Sequence, residues 1–277
     1  MILLESLRIA FGQVWAHKLR SILTLLGILI GVGSVVGIVS ISEGMRRMVV
    51  GEFGKMFGDR ILEVRPREWM LRDGRWVQNH RYRPMAMEDV ALVRGVSDRI
   101  EAVLPMLSSS AQMRYAKATW NGQLEATVPA YAEAYDWRAG EGRFLLPRDV
   151  SAARSVCVLG MQAKEALFGR APAVGREVKL NGDRYAVAGV MEERTLFGQE
   201  WSSIVFVPAT TAMQRLLGTR QISGVVAVAA TAEEVPRLGA AIVAALQEKY
   251  GPRMEYEIDS PANLISQIEQ TILVMKL

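Results

Sequence analysis

The 277-residue chain carries 33 Lys and Arg against 29 Asp and Glu, a net charge of +4 with half of its residues hydrophobic. So mild a basic excess lacks the concentrated cationic face that nucleic acid requires, and the apolar fraction is too low for a chain that crosses a membrane many times. Cys157 alone excludes an internal disulfide, and with only His17 and His80 beside it no zinc site can be assembled from Cys and His.

Leu3, Leu4, Leu7, Ala10, Phe11, Val14 and Trp15 recur at helical spacing, which predicts an amphipathic helix over 1–18 lying in a membrane interface. Trp15 then sits at headgroup depth, with Lys18 and Arg20 marking the membrane edge. Residues 22–41 contain no charge and lie between Arg20 and Glu43. At about 1.5 Å per residue this run is about 30 Å long, the thickness of a bilayer's hydrocarbon core, and it predicts a transmembrane helix. A cleaved signal peptide has a shorter apolar run placed nearer the N-terminus, so the span is expected to stay attached. Arg8, Lys18 and Arg20 before the span are balanced by Arg46, Arg47 and Lys55 after it, and the positive charges do not set an orientation.

Gly27 and Gly31 are four residues apart, as are Gly33 and Gly37, and each pair predicts a strip on which another helix packs closely. The run from Gly31 to Gly37 also has the look of a dinucleotide fingerprint. Its third glycine falls one residue late and no strand precedes it, so no nucleotide site is expected. Beyond the span, Met45, Met48, Val49 and Met56 continue at helical intervals, extending the helix as a stalk that Gly51, Gly54 and Gly58 weaken and end.

The remainder reads as α+β. A strand over 61–64 leads into a polar loop over 65–83, in which six arginines alternate with Trp69, Trp76 and Tyr82. Arginine with aromatics suits single-stranded nucleic acid, but beside a membrane span the same set serves a solvated loop or a patch toward headgroups or a partner. A helix over 87–93 and strands over 100–106 and 112–118 follow, with Asn121-Gly122 as a hairpin turn into a strand over 123–128. A second group comprises strands over 155–159, 178–180, 185–190 and 204–207, helices over 161–168 and 210–217, and a turn at Asn181-Gly182. Strands over 224–229 and 254–258 flank a helix over 233–250. From residue 262 a returning stalk helix carries Leu264, Ile265, Ile268 and Ile272 on one side, expected to pack against Met45, Met48, Val49 and Met56.

The sequence holds no HExxH, GxSxG or phosphate-loop motif, and paired carboxylates such as Glu192-Glu193 point apart on any regular element. No catalytic, cofactor-binding or metal site is expected. An anchored hydrolase is therefore disfavoured, leaving a transporter subunit or a single-pass anchored domain that binds a ligand or partner.

The run from His17 to Val32, followed by Val39-Ser-Ile-Ser-Glu-Gly44, resembles the first membrane helix of MacB/FtsX-like ABC transporter permeases. Gly142-Arg-Phe144, Val156-Cys-Val-Leu-Gly160, Leu167-Phe-Gly169, the 174–178 turn, Val187-Ala-Gly-Val190 and Val207-Pro208 extend the resemblance in order along the chain. It implies a bacterial inner-membrane protein with a cytoplasmic N-terminus and an extracytoplasmic core on a helical stalk. The core would comprise a porter-like βα subdomain, 59–135 with 222–260, and a mainly β insert, 136–221. It implies as partners a separate cytoplasmic ABC ATPase, a second permease in a homodimer or heterodimer, membrane lipid and a periplasmic adaptor. The family continues with three more membrane helices beyond the point where this sequence stops, so the chain would be the N-terminal part of a permease.

Overall fold

The computed structural model describes residues 15, 18–72, 74–196, 199–200, 203–260 and 263. The chain divides into two units, Met1–Gly51 with Ser266–Leu277, and Glu52–Ile265.

Helix α1, Lys18–Phe57, is a single 40-residue element, about 60 Å long. Its segment Lys18–Met45 is apolar enough to cross a membrane, and none of its most apolar stretch is buried by the rest of the chain. Leu23, Ile28, Leu29, Ile30 and Val36 all stand exposed, a continuous apolar surface that water does not accommodate and lipid does. Two hydroxyls within it are satisfied by their own helix, Thr24 Oγ1 donating to the Arg20 carbonyl at 2.8 Å and Ser34 Oγ to that of Ile30 at 2.7 Å. Gly58, at φ +67°, ends the helix in a conformation that a side chain disfavours.

The second unit contains strands β1 (Ile61–Pro66), β2 (Trp69–Arg72), β3 (Arg75–Gln78), β4 (Ile100–Met106), β5 (Ser108–Tyr115), β6 (Ala118–Thr127), β7 (Ala139–Gly142), β8 (Val156–Leu159), β9 (Glu177–Leu180), β10 (Asp183–Met191), β11 (Ile204–Pro208), β12 (Gly224–Ala229) and β13 (Tyr256–Asp259). Its principal helices are α2 (Glu88–Arg94), α3 (Ala130–Ala134), α4 (Pro147–Ser151), α5 (Met161–Phe168) and α6 (Val235–Tyr250). A π-helical stretch, Ala212–Leu217, ends at Gly218.

Four strands form an antiparallel sheet in the order β13–β1–β12–β4. Alternation along β1 sends Leu62 and Val64 into a core shared with Val93 of α2 and Leu238, Ile242 and Leu246 of α6. Ile61 joins Leu104 and Val226 in a separate cluster, against which Tyr131, Ala134 and Tyr135 pack. Strand β12 is buried along its whole length, which is why it reads as an unbroken apolar run.

The larger sheet runs β9–β5–β6–β11–β8–β10–β7, and an added pairing of β9 with β10 brings its ends together into a six-stranded ring with β7 on the outside of β10. Two of its contacts, β6 with β11 and β8 with β10, are parallel. Sheet membership changes at Leu107, between β4 and β5, whereas sequence reasoning set the division after residue 135. The reason is long-range pairing: β5 and β6 bond to β9 and β11.

Two local expectations differ from the structure. Asn121-Gly122 is not a turn. Both residues lie inside β6, opposite Gln112 and Ala111, and the chain reverses at Ala116-Lys117, with Ala116 at φ +51°. The Trp120 ring covers Gly122 so closely that a Cβ there would fall 2.1 Å from it. The 65–83 loop contains the β2–β3 hairpin, pairing Trp69 with Gln78 and Leu71 with Trp76.

Candidate functional site

The glycines expected to pack in the membrane are all on α1. A Cβ built on Gly27, Gly31, Gly33 or Gly37 meets nothing within 4 Å, so these positions are open surface within the chain. At about 100° per residue the pairs 27/31 and 33/37 form two stripes about 120° apart. Trp15 and Lys18 line one shallow groove with Ser21, Ile22 and Leu25, while Arg20 stands exposed. Above the span Arg47 Nε pairs with Glu43 Oε1 at 3.0 Å, a solvated contact one helical turn apart. Met45 and Met48 are exposed. Val49 and Met56 belong to α1, but their side chains, like residues Leu264, Ile265, Ile268 and Ile272 of the expected returning stalk, lie outside the described residues.

In the second unit two fully buried carboxylates organise the polar interior. Asp89, in the first turn of α2, accepts the Ala86 N–H at 2.7 Å and the Tyr250 hydroxyl at 2.7 Å. Its other oxygen meets Lys249 Nζ at 2.5 Å, so one side chain ties α2 to the C-terminal end of α6. The Asp89 hydrogen bond holds the Lys249 pKa above its ordinary value. Asp149, in α4, accepts the Leu146 N–H at 2.9 Å and Arg143 Nη1 at 2.6 Å, with Arg154 Nη1 at 3.6 Å. Burial alone would raise the Asp149 pKa; the Arg143 hydrogen bond, the Leu146 N–H and the charges of Arg143 and Arg154 outweigh it and hold it below the usual carboxylate range.

Between the two sheets, α3 acts as a wedge. Tyr131 packs on the four-stranded sheet and also faces Phe206 of β11, with ring centroids 5.1 Å apart. Trp137 and Phe144 meet the same Phe206 edge-on at 5.6 and 5.5 Å. Beside this aromatic cluster is a cleft of about 210 Å³, whose lining includes Glu63, Ser108, Glu125, Tyr131 and Tyr135. Ser108 Oγ donates to Glu125 Oε2 at 2.5 Å. Burial pushes the Glu125 carboxyl up to about 7 despite that bond, and burial likewise raises Glu63. Sequence reasoning did not identify these groups. The available signal was a lone glutamate inside each of the apolar stretches 61–64 and 124–126.

The β2–β3 hairpin projects Trp69, Leu71 and Trp76 outward, at 51, 62 and 70% exposure. Its base is fixed by Arg67, which pairs with Glu255 at 3.5 Å and Glu257 at 3.4 Å, and by Asn79 Nδ2 donating to the Arg67 carbonyl at 2.9 Å. Burial pushes the Cys157 thiol up to about 12, the state of an inert core residue. Among the described residues no three His, Cys, Asp or Glu side chains are grouped to hold a metal.

A helix apolar and long enough to cross a membrane precedes an α+β core built on two sheets. The MacB-like periplasmic core domain family matches residues 21–245, and the chain belongs to that family, within the MacB/FtsX-like ABC permeases. It is 30% identical over 269 residues to the macrolide export ATP-binding/permease protein MacB of Marinobacter nauticus, covering 96% of this chain and 41% of that protein. Against the pyoverdine export ATP-binding/permease protein PvdT of Pseudomonas aeruginosa the identity is 29% over 268 residues, covering 95% and 39%. The chain thus spans about two fifths of the length of these relatives. Its fold is that of the periplasmic region of MacB from Actinobacillus actinomycetemcomitans, with a TM-score of 0.65 and 18% identity over 80% of this chain and 97% of that one. The extracellular domain of YknZ from Gram-positive bacteria superposes with a TM-score of 0.60 and 20% identity, over 72% and 100%. Family and apolar helix together fit an inner-membrane protein with an extracytoplasmic domain.

Proposed function

We propose that the chain is the N-terminal part of an ABC transporter permease that converts ATP hydrolysis on a separate cytoplasmic ATPase into movement of its extracytoplasmic core. The N-terminus lies in the cytoplasm, the permease works as a homodimer or heterodimer through the glycine stripes of α1, and a periplasmic adaptor receives the motion. The output is export or mechanotransmission. The relatives named for macrolide and pyoverdine export support the former. The chain itself carries no catalytic step.

The observation that carries this reading is the unbroken course of α1 from Lys18 to Phe57, ending three residues before β1. A helix resists bending, so a shift imposed on its membrane segment by two nucleotide states of the partner reaches the root of the four-stranded sheet. Proline in a helix interior removes a hydrogen bond and clashes with the preceding turn. Met48→Pro in the intact transporter should therefore leave ATPase association and nucleotide binding in place and lower transport at least tenfold. Undiminished transport by Met48→Pro would reject α1 as the transmitting element.

A further inference from the structure

The cleft beside α3 lies where the chain passes from one sheet to the other. The outward crossing is Leu107, between β4 and β5. The return is Ser223, whose N–H and Oγ both donate to the Met106 carbonyl, at 2.9 and 2.8 Å. Glu63 from β1 and Glu125 from β6 line a space shared with Leu104, Pro105, Met106, Ile204 and Val226 and with the polar Gln123. The hydroxyls facing them are Ser108 of β5 and Tyr131 and Tyr135 of α3. Of the cations nearby, Arg65 pairs with Asp259 across β1 and β13 and its charge also acts on Glu63, opposing the larger effect of burial, while Arg194 lies 5.4 Å from the centre of the Trp137 ring, where its charge acts on the two tyrosines.

We propose that this junction is a proton-controlled contact between the two sheets, closed while Glu125 is protonated and loosened when Glu63 and Glu125 are both ionised. Two carboxylates facing one half-enclosed cleft repel each other and each loses part of its hydration, so the ionised pair draws water in and pushes α3 away from the four-stranded sheet. The protonated acid instead donates a hydrogen bond and lets the aromatic walls close. The sign follows from the shifts. Both carboxyls have folded-state pKa values above their ordinary ones, so their contribution to the closed form is complete below the ordinary glutamate range. It is lost as pH rises through about 7, the Glu125 value. Such a contact would tie the relative freedom of the two sheets to the pH of the compartment around the core.

Hydrogen exchange of the full chain in nanodiscs, corrected for the intrinsic pH dependence of amide exchange, tests this directly. Peptides covering residues 130–137 should exchange at least fivefold faster at pH 8.5 than at pH 5.5, with a midpoint near 7. Glu125→Gln should keep exchange slow at both values, and Ser108→Ala, which removes the bond that lowers the Glu125 pKa, should move the midpoint upward. Peptides within β9, which contributes no residue to the cleft lining, report whether each variant keeps its fold. A wild-type ratio near one, or an unchanged pH profile in Glu125→Gln with a native β9 signal, would overturn the proposal.

Discussion

Asp89 and Asp149 solve the same problem with different reach. Both are fully buried, both lie in the first turn of a short helix, and both accept a backbone N–H from three residues earlier. Asp149 draws its cations from Arg143 and Arg154, within the same stretch of chain. Asp89 draws its own from Lys249, 160 residues away. One therefore clasps a local loop on the barrel, while the other holds together the helical layer of the four-stranded sheet. A buried carboxylate's structural weight is set less by its burial than by how far along the chain its partners lie.

Removing the two side chains is the sharpest way to break this comparison. Asp89→Ala leaves the Lys249 ammonium and the Ala86 N–H without their acceptor and unties α2 from α6; we expect about 3 kcal/mol, the low end for a broken buried pair because Lys249 turns back to water. Asp149→Ala should cost about 2 kcal/mol, since both arginines are partly exposed and the loop relaxes locally. Urea unfolding of the full chain in detergent measures both, and an equal or reversed order would sink the distinction between local and distant clasps.

A smaller effect should come from behind the Asp149 clasp. A Cβ on Gly189 of β10 would stand 2.3 Å from the Arg143 carbonyl oxygen and 2.8 Å from the Arg143 nitrogen. Backbone atoms held in a strand pairing have little room to give. Gly189→Ala should thus destabilise by about 1–2 kcal/mol and displace Arg143 from Asp149. If the Asp149 contribution measured in that background is unchanged, the clasp does not depend on this close approach.

The smallest expected effect is in the pH dependence. Because its folded pKa is depressed, Asp149 contributes stability that is present above the ordinary aspartate range and is lost as pH falls through the lower folded value. Asp149→Asn should flatten the acid limb of the stability curve below about pH 4. Glu125 acts with the opposite sign, its contribution declining as pH rises through about 7, so the two variants should alter opposite limbs. A steeper acid limb in Asp149→Asn would mean that Arg143 and Arg154 do not hold the carboxylate ionised.

What the sequence discloses is mostly what neighbouring residues determine. The uncharged 22–41 run identifies α1, and the bounds of β4, β12 and α5 match their predicted ranges, an unbroken apolar run deciding β12 and helical spacing α5. The same dipeptide succeeds at one place and fails at another. Asn181 and Gly182 take φ +48° and +101° and turn the chain between β9 and β10, whereas Asn121-Gly122 is held extended by the Trp120 ring and by pairing with β5. The cleft and the change of sheet at Leu107 depend on partners far along the chain, and α4, five residues long, is too short to show a period.

The position of β12 in the smaller sheet also orders the making of the protein. Strands β1 and β4 are synthesised early, yet they do not pair with each other: Ile61 waits for Val228, and Leu104 for Val226. Every strand of the barrel leaves the ribosome before β12 does. The barrel can therefore close while β1 and β4 are still unpaired edges, and one late, wholly buried strand then joins them. Until β12 arrives, the smaller sheet has no centre.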